Sequence, residues 1–362
     1  MKYSMEGIHR ITYGTFIRDA RQRLLAEVPY YSKEECTALA KRLVLATCTK
    51  LKQSDAGAEM SDFKELLASM RTLPENEVQL VLAENEEIPS PVEEECEKAL
   101  DRLCKGEPLE YVLGRAEFCG YEFRVNASTL IPRPETEELV SIVGEHLKTV
   151  ITEASSGDCG IDGGAAPVVL DVCTGSGCIA WSLLLDYANV LNGAANSEQV
   201  RFYGCDISEE ALAVAASQFQ QSPFCTDVQR PEFFKCDVLA PDAAEVIRHR
   251  IGDIKDVPLI IVCNPPYVCE KERARMRSNV LDWEPSSALF VPDASPLIFY
   301  EAVADIALKL AQSSGSTNPA LFFEINENLG PQTVEMLKSK GFTNARCLKD
   351  LFGKDRFIEI MK

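Results

Sequence analysis

Apolar positions along this chain follow two regimes of different period. Over roughly the first hundred residues they recur every three or four positions, the spacing of one helix face. Cys36, Leu39, Ala40, Leu43 and Val44 follow Ser32 and Glu35, a pair that predicts a capping box. Asp62 and Glu65 repeat the signal ahead of Leu66, Leu67 and Met70. Ser90-Pro91-Val92-Glu93 predicts another start, with Ser90 as cap and Pro91 at the first helical position, and a helix to Cys104 that stops at Gly106. A short segment of different character follows. Ala116 to Val125 places Gly120 between two aromatic-rich runs, which predicts a small hairpin. In Leu130 to Glu137 (LIPRPETE), Pro132 and Pro134 keep the backbone extended to about Arg133. A helix then begins with Glu135, Glu137 and Glu138 in its first turn, where carboxylates complement the helix dipole.

From Val168 onward short, compact apolar runs alternate with helical patterns. Val168–Val172, Arg201–Cys205, Phe233–Cys236, Pro258–Cys263 and Ala320–Ile325 read as strands. Cys178–Asp186, Glu209–Gln218 and Leu297–Leu310 read as helices. Residues 152–166, rich in Gly, Ser and Ala, read as a flexible surface loop. Gly341 to Met361 predicts two last strands around KDLFGKD, paired as an antiparallel edge. Such alternation predicts an α/β fold, a mostly parallel sheet with helices on both faces.

Composition narrows the function classes. The 362 residues suit two domains or one with an appendage. Lys and Arg number 37 against 56 Asp and Glu, a formal charge of −19. That balance counts against a protein gripping duplex nucleic acid through its phosphates. Fourteen scattered Cys form no paired CxxC, so neither a disulfide scaffold nor a metal site is expected. His9, His146 and His249 have no ligand or nucleophile beside them in sequence. No apolar run suffices for a membrane span, and the start lacks a signal core, so a cytoplasmic protein is expected.

Candidate chemistry sits at the ends of predicted strands. VVLDV runs into Cys173-Thr174-Gly175-Ser176-Gly177 and then a helix, where glycines let backbone approach a ligand. Asp206, ending the second strand, suits ribose hydroxyls, and Asp237, ending the third, suits an adenine amino group. Gly175 to Ala180 also satisfies GxGxxA, the dinucleotide fingerprint, which leaves an NAD-dependent oxidoreductase open. Asp171 favours S-adenosylmethionine instead, because a carboxylate suits that cofactor's cationic methionine end better than a pyrophosphate. Asn264-Pro265-Pro266-Tyr267 follows the fourth strand. Methylating a planar nitrogen requires holding a delocalised, weakly nucleophilic lone pair in line with a sulfonium methyl. The Asn oxygen and a backbone carbonyl fixed by the prolines accept its two N–H groups, and Tyr267 stacks on the flat acceptor. The plain alternative is a proline-rich turn capping a strand.

NPPY, DVCTGSGCIA and LIPRPETEELV together resemble the HemK/PrmC family of protein-(glutamine-N5) methyltransferases. PLEYVLGRAEF (Pro108 to Phe118), EPSSALFVPD (Glu284 to Asp293) and KDLFGKDR extend the resemblance over nearly the whole chain. It implies a class I, Rossmann-like, seven-stranded S-adenosylmethionine-dependent methyltransferase domain (135–362), a hairpin and linker (108–134) and a small N-terminal helical domain (1–107) that recognises the substrate. The implied acceptor is the Gln of the GGQ motif in a peptide chain release factor, so the implied role lies in translation termination. By position, Cys173 through Gly177 would wrap the cofactor's methionine and ribose part. Asp206 would bind ribose, Asp237 and Val238 would line the adenine pocket, and Asn264 through Tyr267 would hold the Gln amide. Cys173 stands where many relatives carry Gly, at little cost if its φ is negative. In RPETE, Arg133 or Glu135 closes over the cofactor or acceptor, or the prolines form only a rigid linker. A monomer without direct nucleic-acid contact is expected. The rival enzyme class is an adenine-N6 nucleic-acid methyltransferase, which shares NPPY; a non-catalytic module is a further alternative.

Overall fold

The computed structural model describes residues 11–54, 76–155, 166–191, 200–219, 230–314 except 253 and 256, and 319–361. The helix signal at Asp62 to Met70 and His9 lie outside them. The chain forms two compact units. One comprises residues up to Gly114 together with Arg277–Trp283; the other comprises Arg115–Met276 and Glu284 onward.

The first unit is helical, with α1 (Tyr13–Glu27), α2 (Lys33–Ser54), α3 (Glu77–Leu82), α4 (Ser90–Cys104) and α5 (Leu109–Leu113). Its core is one continuous cluster drawn at helical spacing. Phe16, Ala20 and Leu24 of α1, Cys36, Ala40, Leu43 and Val44 of α2, and Cys96, Leu100 and Leu103 of α4 are buried in it. The expected capping box at α2 forms: the Glu35 amide donates to Ser32 Oγ (3.1 Å) and the Ser32 amide to Glu35 Oε2 (2.7 Å). Ser90 does not cap α4. The amide of Glu93 donates instead to the carbonyl of Pro89, so the helix starts one residue earlier and Ser90 lies within its first turn.

The second unit opens with the expected hairpin, β1 (Arg115–Phe118) and β2 (Tyr121–Arg124), turned through Cys119 and Gly120, both at positive φ. Helix α6 (Pro134–Ser155) follows, so four residues of the stretch expected as loop, 152–155, are helical. The sheet then alternates with helices. It contains β3 (Val168–Val172), β4 (Arg201–Asp206), β5 (Glu232–Lys235), β6 (Leu259–Cys263), β9 (Ala320–Glu324), β10 (Arg346–Lys349) and β11 (Asp355–Ile360). Between them run α7 (Cys178–Leu191), α8 (Glu209–Ser217), α9 (Ala243–Ile251), α10 (Ile298–Ser314) and α11 (Gly330–Ser339). A short parallel pair, β7 (Val268–Cys269) and β8 (Phe290–Val291), stands apart from the sheet.

The strand order is β10-β11-β9-β6-β3-β4-β5. Strands β3, β4, β5, β6 and β9 are parallel, and β11 and β10 form the antiparallel edge. This is the seven-stranded Rossmann-like sheet that the alternation and the resemblance led us to expect. Every residue of β3, β6 and β9 is buried, which explains why they read as unbroken apolar runs. The order reverses between β3 and β6, and ligands of such sheets settle at the carboxyl ends of the strands at that point. Val172 pairs with Cys263 across β3 and β6, and Cys263 with Phe323 across β6 and β9. Cys173, Asn264 and Glu324, each one residue further on, therefore lie level along one sheet edge.

Candidate active site

A cavity of about 360 Å³ opens at this edge, the size of a small-cofactor pocket. Cys173 through Ser176, Asp206, Asp237, Val238, Asn264 and Pro266 all line it. The glycine turn and the NPPY corner thus share one cavity. Gly177, Pro265 and Tyr267 are not on its wall, and neither is Asp171.

The turn after β3 is pinned from below and from the side. Thr174 donates its hydroxyl to Asp171 Oδ2 (2.6 Å), and the Ala180 amide donates to the same oxygen (3.2 Å). Asp171 is fully buried and Oδ1 has no partner, so burial pushes its carboxyl up to about 7. Its observed contacts hold the loop together beneath the cavity. The Gly175 amide donates to Asp206 Oδ2 (2.9 Å) and the Ser208 amide to Asp206 Oδ1 (2.9 Å). These two bonds set the half-buried Asp206 carboxylate on the cavity wall, and its burial raises its pKa. Gly177 has φ +78°, and a Cβ there would meet Ala215 Cβ at 3.0 Å and a Phe233 ring carbon at 3.0 Å. Gly175 has φ +54° with open space where a Cβ would go. Cys173 sits at φ +60°, so the condition under which a Cys would cost little there is not met. The turn bends through the left-handed region at this position, which is why glycine suits it and a Cys is strained.

On the far side of the turn Asp237 is exposed, and its Oδ1 accepts from the Leu239 amide (2.9 Å). Two large apolar side chains at the cavity, Ile207 and Leu239, are solvent-exposed at 54% and 42%. Sequence reading passed over both, although each directly follows or flanks a strand-end carboxylate.

At the other end, Asn264 donates through Nδ2 to Glu324 Oε2 (3.0 Å) and to Thr136 Oγ1 (3.1 Å). Both of its N–H groups face protein, and Oδ1 has no partner among the described residues. Tyr267 does not present its ring to the cavity; its hydroxyl donates to Glu324 Oε1 (2.9 Å) and its ring packs against the core. The stacking role expected for it is replaced by an anchoring one. Asn326 Nδ2 donates to the Tyr267 carbonyl (3.2 Å), which fixes the corner from behind.

The RPETE segment takes part on two sides. Arg133 and Thr136 line the cavity. Arg133 Nη2 donates to Glu284 Oε1 (2.5 Å), and the Ile131 amide to Glu284 Oε2 (3.1 Å). Glu284 is buried, so EPSSALF is clamped against LIPRP, and Pro285, Ala288 and Phe290 complete that wall. Glu284, Thr136 and Glu324 are the site residues to which sequence reading gave no role. A carboxylate closing the apolar run ALFF was the available signal, because such a group needs buried donors.

No group of His, Cys, Asp and Glu among the described residues has metal-holding geometry, and no disulfide occurs among them. No helix among them is long and apolar enough to cross a membrane.

Comparison with known proteins identifies the family. The family model described as PrmC N-terminal domain matches residues 42–114. The release factor glutamine methyltransferase of Bacteroides thetaiotaomicron is 37% identical over 264 residues, 73% of this chain and 79% of that one. That of Flavobacterium psychrophilum is 36% identical over 265 residues, 73% and 79% of the two chains. A solved release factor-specific protein-(glutamine-N5) methyltransferase from Alicyclobacillus acidocaldarius is 21% identical, covering 66% of this chain and 98% of that one with a TM-score of 0.33, a likeness too low to bear on the argument. At the identity and coverage of the first two relatives, the chain belongs to the release factor glutamine methyltransferase family.

Proposed function

We propose that this protein transfers the methyl group of S-adenosyl-L-methionine to the side-chain amide nitrogen of the Gln in the GGQ motif of a peptide chain release factor. The observation that carries the reading is that Oδ1 of Asn264, without a partner among the described residues, lies at the cavity that the glycine turn also lines. The lining fits the cofactor by its chemistry. Gly175 leaves room for close backbone approach, the Asp206 carboxylate has acceptor capacity for ribose hydroxyls, and Ile207, Val238 and Leu239 offer apolar faces to a purine. Bound there, the cofactor supplies an electrophilic methyl.

The chain's own residues then do the positioning. Asn264 Oδ1 accepts one N–H of the acceptor amide, and a backbone carbonyl of the proline corner accepts the other. Two acceptors at a nitrogen that turns positive in the transition state stabilise that charge, and no strong base is required. Pro265 and Pro266 are buried and restrict the corner's φ, so little reorganisation accompanies the step. The helical N-terminal unit supplies the surface that recognises the release factor, since three residues offer little to bind. The charge of −19 counts against a grip on nucleic-acid phosphates.

The test is mass spectrometry of release factor incubated with the protein and S-adenosyl-L-methionine, with duplex DNA as a parallel acceptor. One added methyl on the GGQ peptide is expected. Label in DNA adenine and none in protein would overturn the reading.

A further inference from the structure

Glu324 takes no part in the chemistry above, yet three donors from two distant segments converge on it. Its residue is 1% exposed. Thr136 gives its hydroxyl proton to Oε2 (2.7 Å), Asn264 Nδ2 donates to the same oxygen, and Tyr267 donates to Oε1. We propose that Glu324 is a positioning residue that locks the Asn264 amide with its oxygen toward the cavity, so that the site takes a planar N–H donor and rejects a carboxylate. This inference rests on the functional reading of that site.

The argument is one of donors and acceptors. Turning the Asn264 amide over would set its oxygen 3.0 Å from Glu324 Oε2, two acceptors with no proton between them. Thr136 closes the same circuit, because its single proton is spent on Glu324 and only its lone pair remains for Asn264. Without the carboxylate, nothing prevents the amide from presenting its N–H groups to the cavity, where they would suit a carboxylate instead.

The lock works with Glu324 ionised. Burial raises its pKa, as does Glu135 on α6; the donors Thr136 and Tyr267, together with Arg356 on β11, oppose that rise. Tyr300, whose hydroxyl donates to the Glu324 carbonyl, packs beside them. The net shift is upward, so methyl transfer falls as pH drops through the raised value.

The experiment measures kcat at saturating cofactor, with cofactor affinity, for wild type, Glu324→Gln, Glu324→Leu, Asn264→Ala and the Glu324→Leu/Asn264→Ala double variant. Glu324→Leu is expected to lower kcat ~10²-fold with cofactor affinity unchanged. The double variant is expected to be no slower than Asn264→Ala alone, because the two residues act as one unit. Glu324→Gln, nearly isosteric, keeps the fold and loses the acid limb of the pH profile. A release factor carrying Glu in place of the acceptor Gln competes with substrate at least ~10-fold better against Glu324→Leu than against wild type. Multiplicative losses in the double variant, or an acid limb kept in Glu324→Gln, overturn the proposal. Failure of the functional reading looks different: wild type leaves the release factor unlabelled. The lock is then decided by hydrogen exchange of the Asn264 side-chain N–H groups, assigned by their loss in Asn264→Ala. Slow exchange in wild type and fast exchange in Glu324→Leu supports it, and equal rates overturn it.

Discussion

Gly175 and Gly177 are two residues apart with φ of +54° and +78°, yet they answer to different constraints. A methyl at Gly177 collides with Ala215 and Phe233, so Gly177→Ala adds overpacking of ~1–3 kcal/mol to a left-handed cost of ~1–2 kcal/mol. Denaturant unfolding should show a loss of about 2–5 kcal/mol. A methyl at Gly175 meets nothing within 4 Å, so Gly175→Ala should lose only about 1–2 kcal/mol of stability while weakening S-adenosylmethionine binding ~10-fold or more, read by calorimetric titration. Equal stability losses at the two positions would contradict the geometry. Asn264 and Asp206 divide the work in another way. Asn264→Ala removes an acceptor for the reacting nitrogen and should lower kcat ~10²-fold with cofactor affinity nearly kept. Asp206→Ala should weaken cofactor binding first. At this scale residue type and strand-end position were enough to anticipate that Gly175, Asp206 and Asn264 line one cavity, while the roles given them there remain the proposal above. Cys173 was misread because φ is not written in a side chain, and Tyr267 because an aromatic ring names its capacity and not its direction.

Among elements, the wall formed by LIPRP and EPSSALF depends on one clamp. Glu284 is separated from Ile131 and Arg133 by about 150 positions, and its two oxygens hold both. The Glu284 side chain is 1% exposed and that of Arg133 30%, so Glu284→Ala leaves the guanidinium partly hydrated and should cost about 1–3 kcal/mol, below the figure for a fully buried pair. Leu130, Pro132 and Arg133 form part of the cavity wall, so cofactor affinity should fall in the same variant. Unchanged affinity with lowered stability would show that the wall stands without the clamp. The elements themselves were legible: β3, β6 and β9 are buried throughout, and their apolar runs mark them with boundaries within a residue or two. The clamp was not. Arg133 and Glu284 both lie in connecting segments outside the strands, and which connections meet at the cavity follows from the whole fold, which no local pattern encodes.

At the scale of the whole molecule, the second unit carries buried carboxylates at the edge where its ligand is expected, and this fixes how its stability depends on pH. Burial raises Asp171, Asp206 and Glu324 above ordinary carboxylate values. A carboxyl whose pKa is higher folded than unfolded favours folding most when it is protonated, below its unfolded value, and that contribution is lost as pH rises through the folded value. For Asp171 the window runs from its ordinary 3.8 to about 7. Wild type should therefore lose stability between pH 5 and pH 8. In Asp171→Asn the amide oxygen can still accept from Thr174 and Ala180, and the group no longer titrates. Urea unfolding at the two pH values should show the variant gaining on wild type by about 1–3 kcal/mol at the higher one. A difference that does not change with pH would mean that Asp171 is already ionised in the folded protein across this range. The observed contacts favour the shifted value. Oδ1 has no donor, Oδ2 has two, and the strand around the residue is closed to water. The same protonation that steadies the turn at low pH also removes acceptors from Asp206 and Glu324, so the pH at which the fold is most stable should lie below the pH at which methyl transfer is fastest.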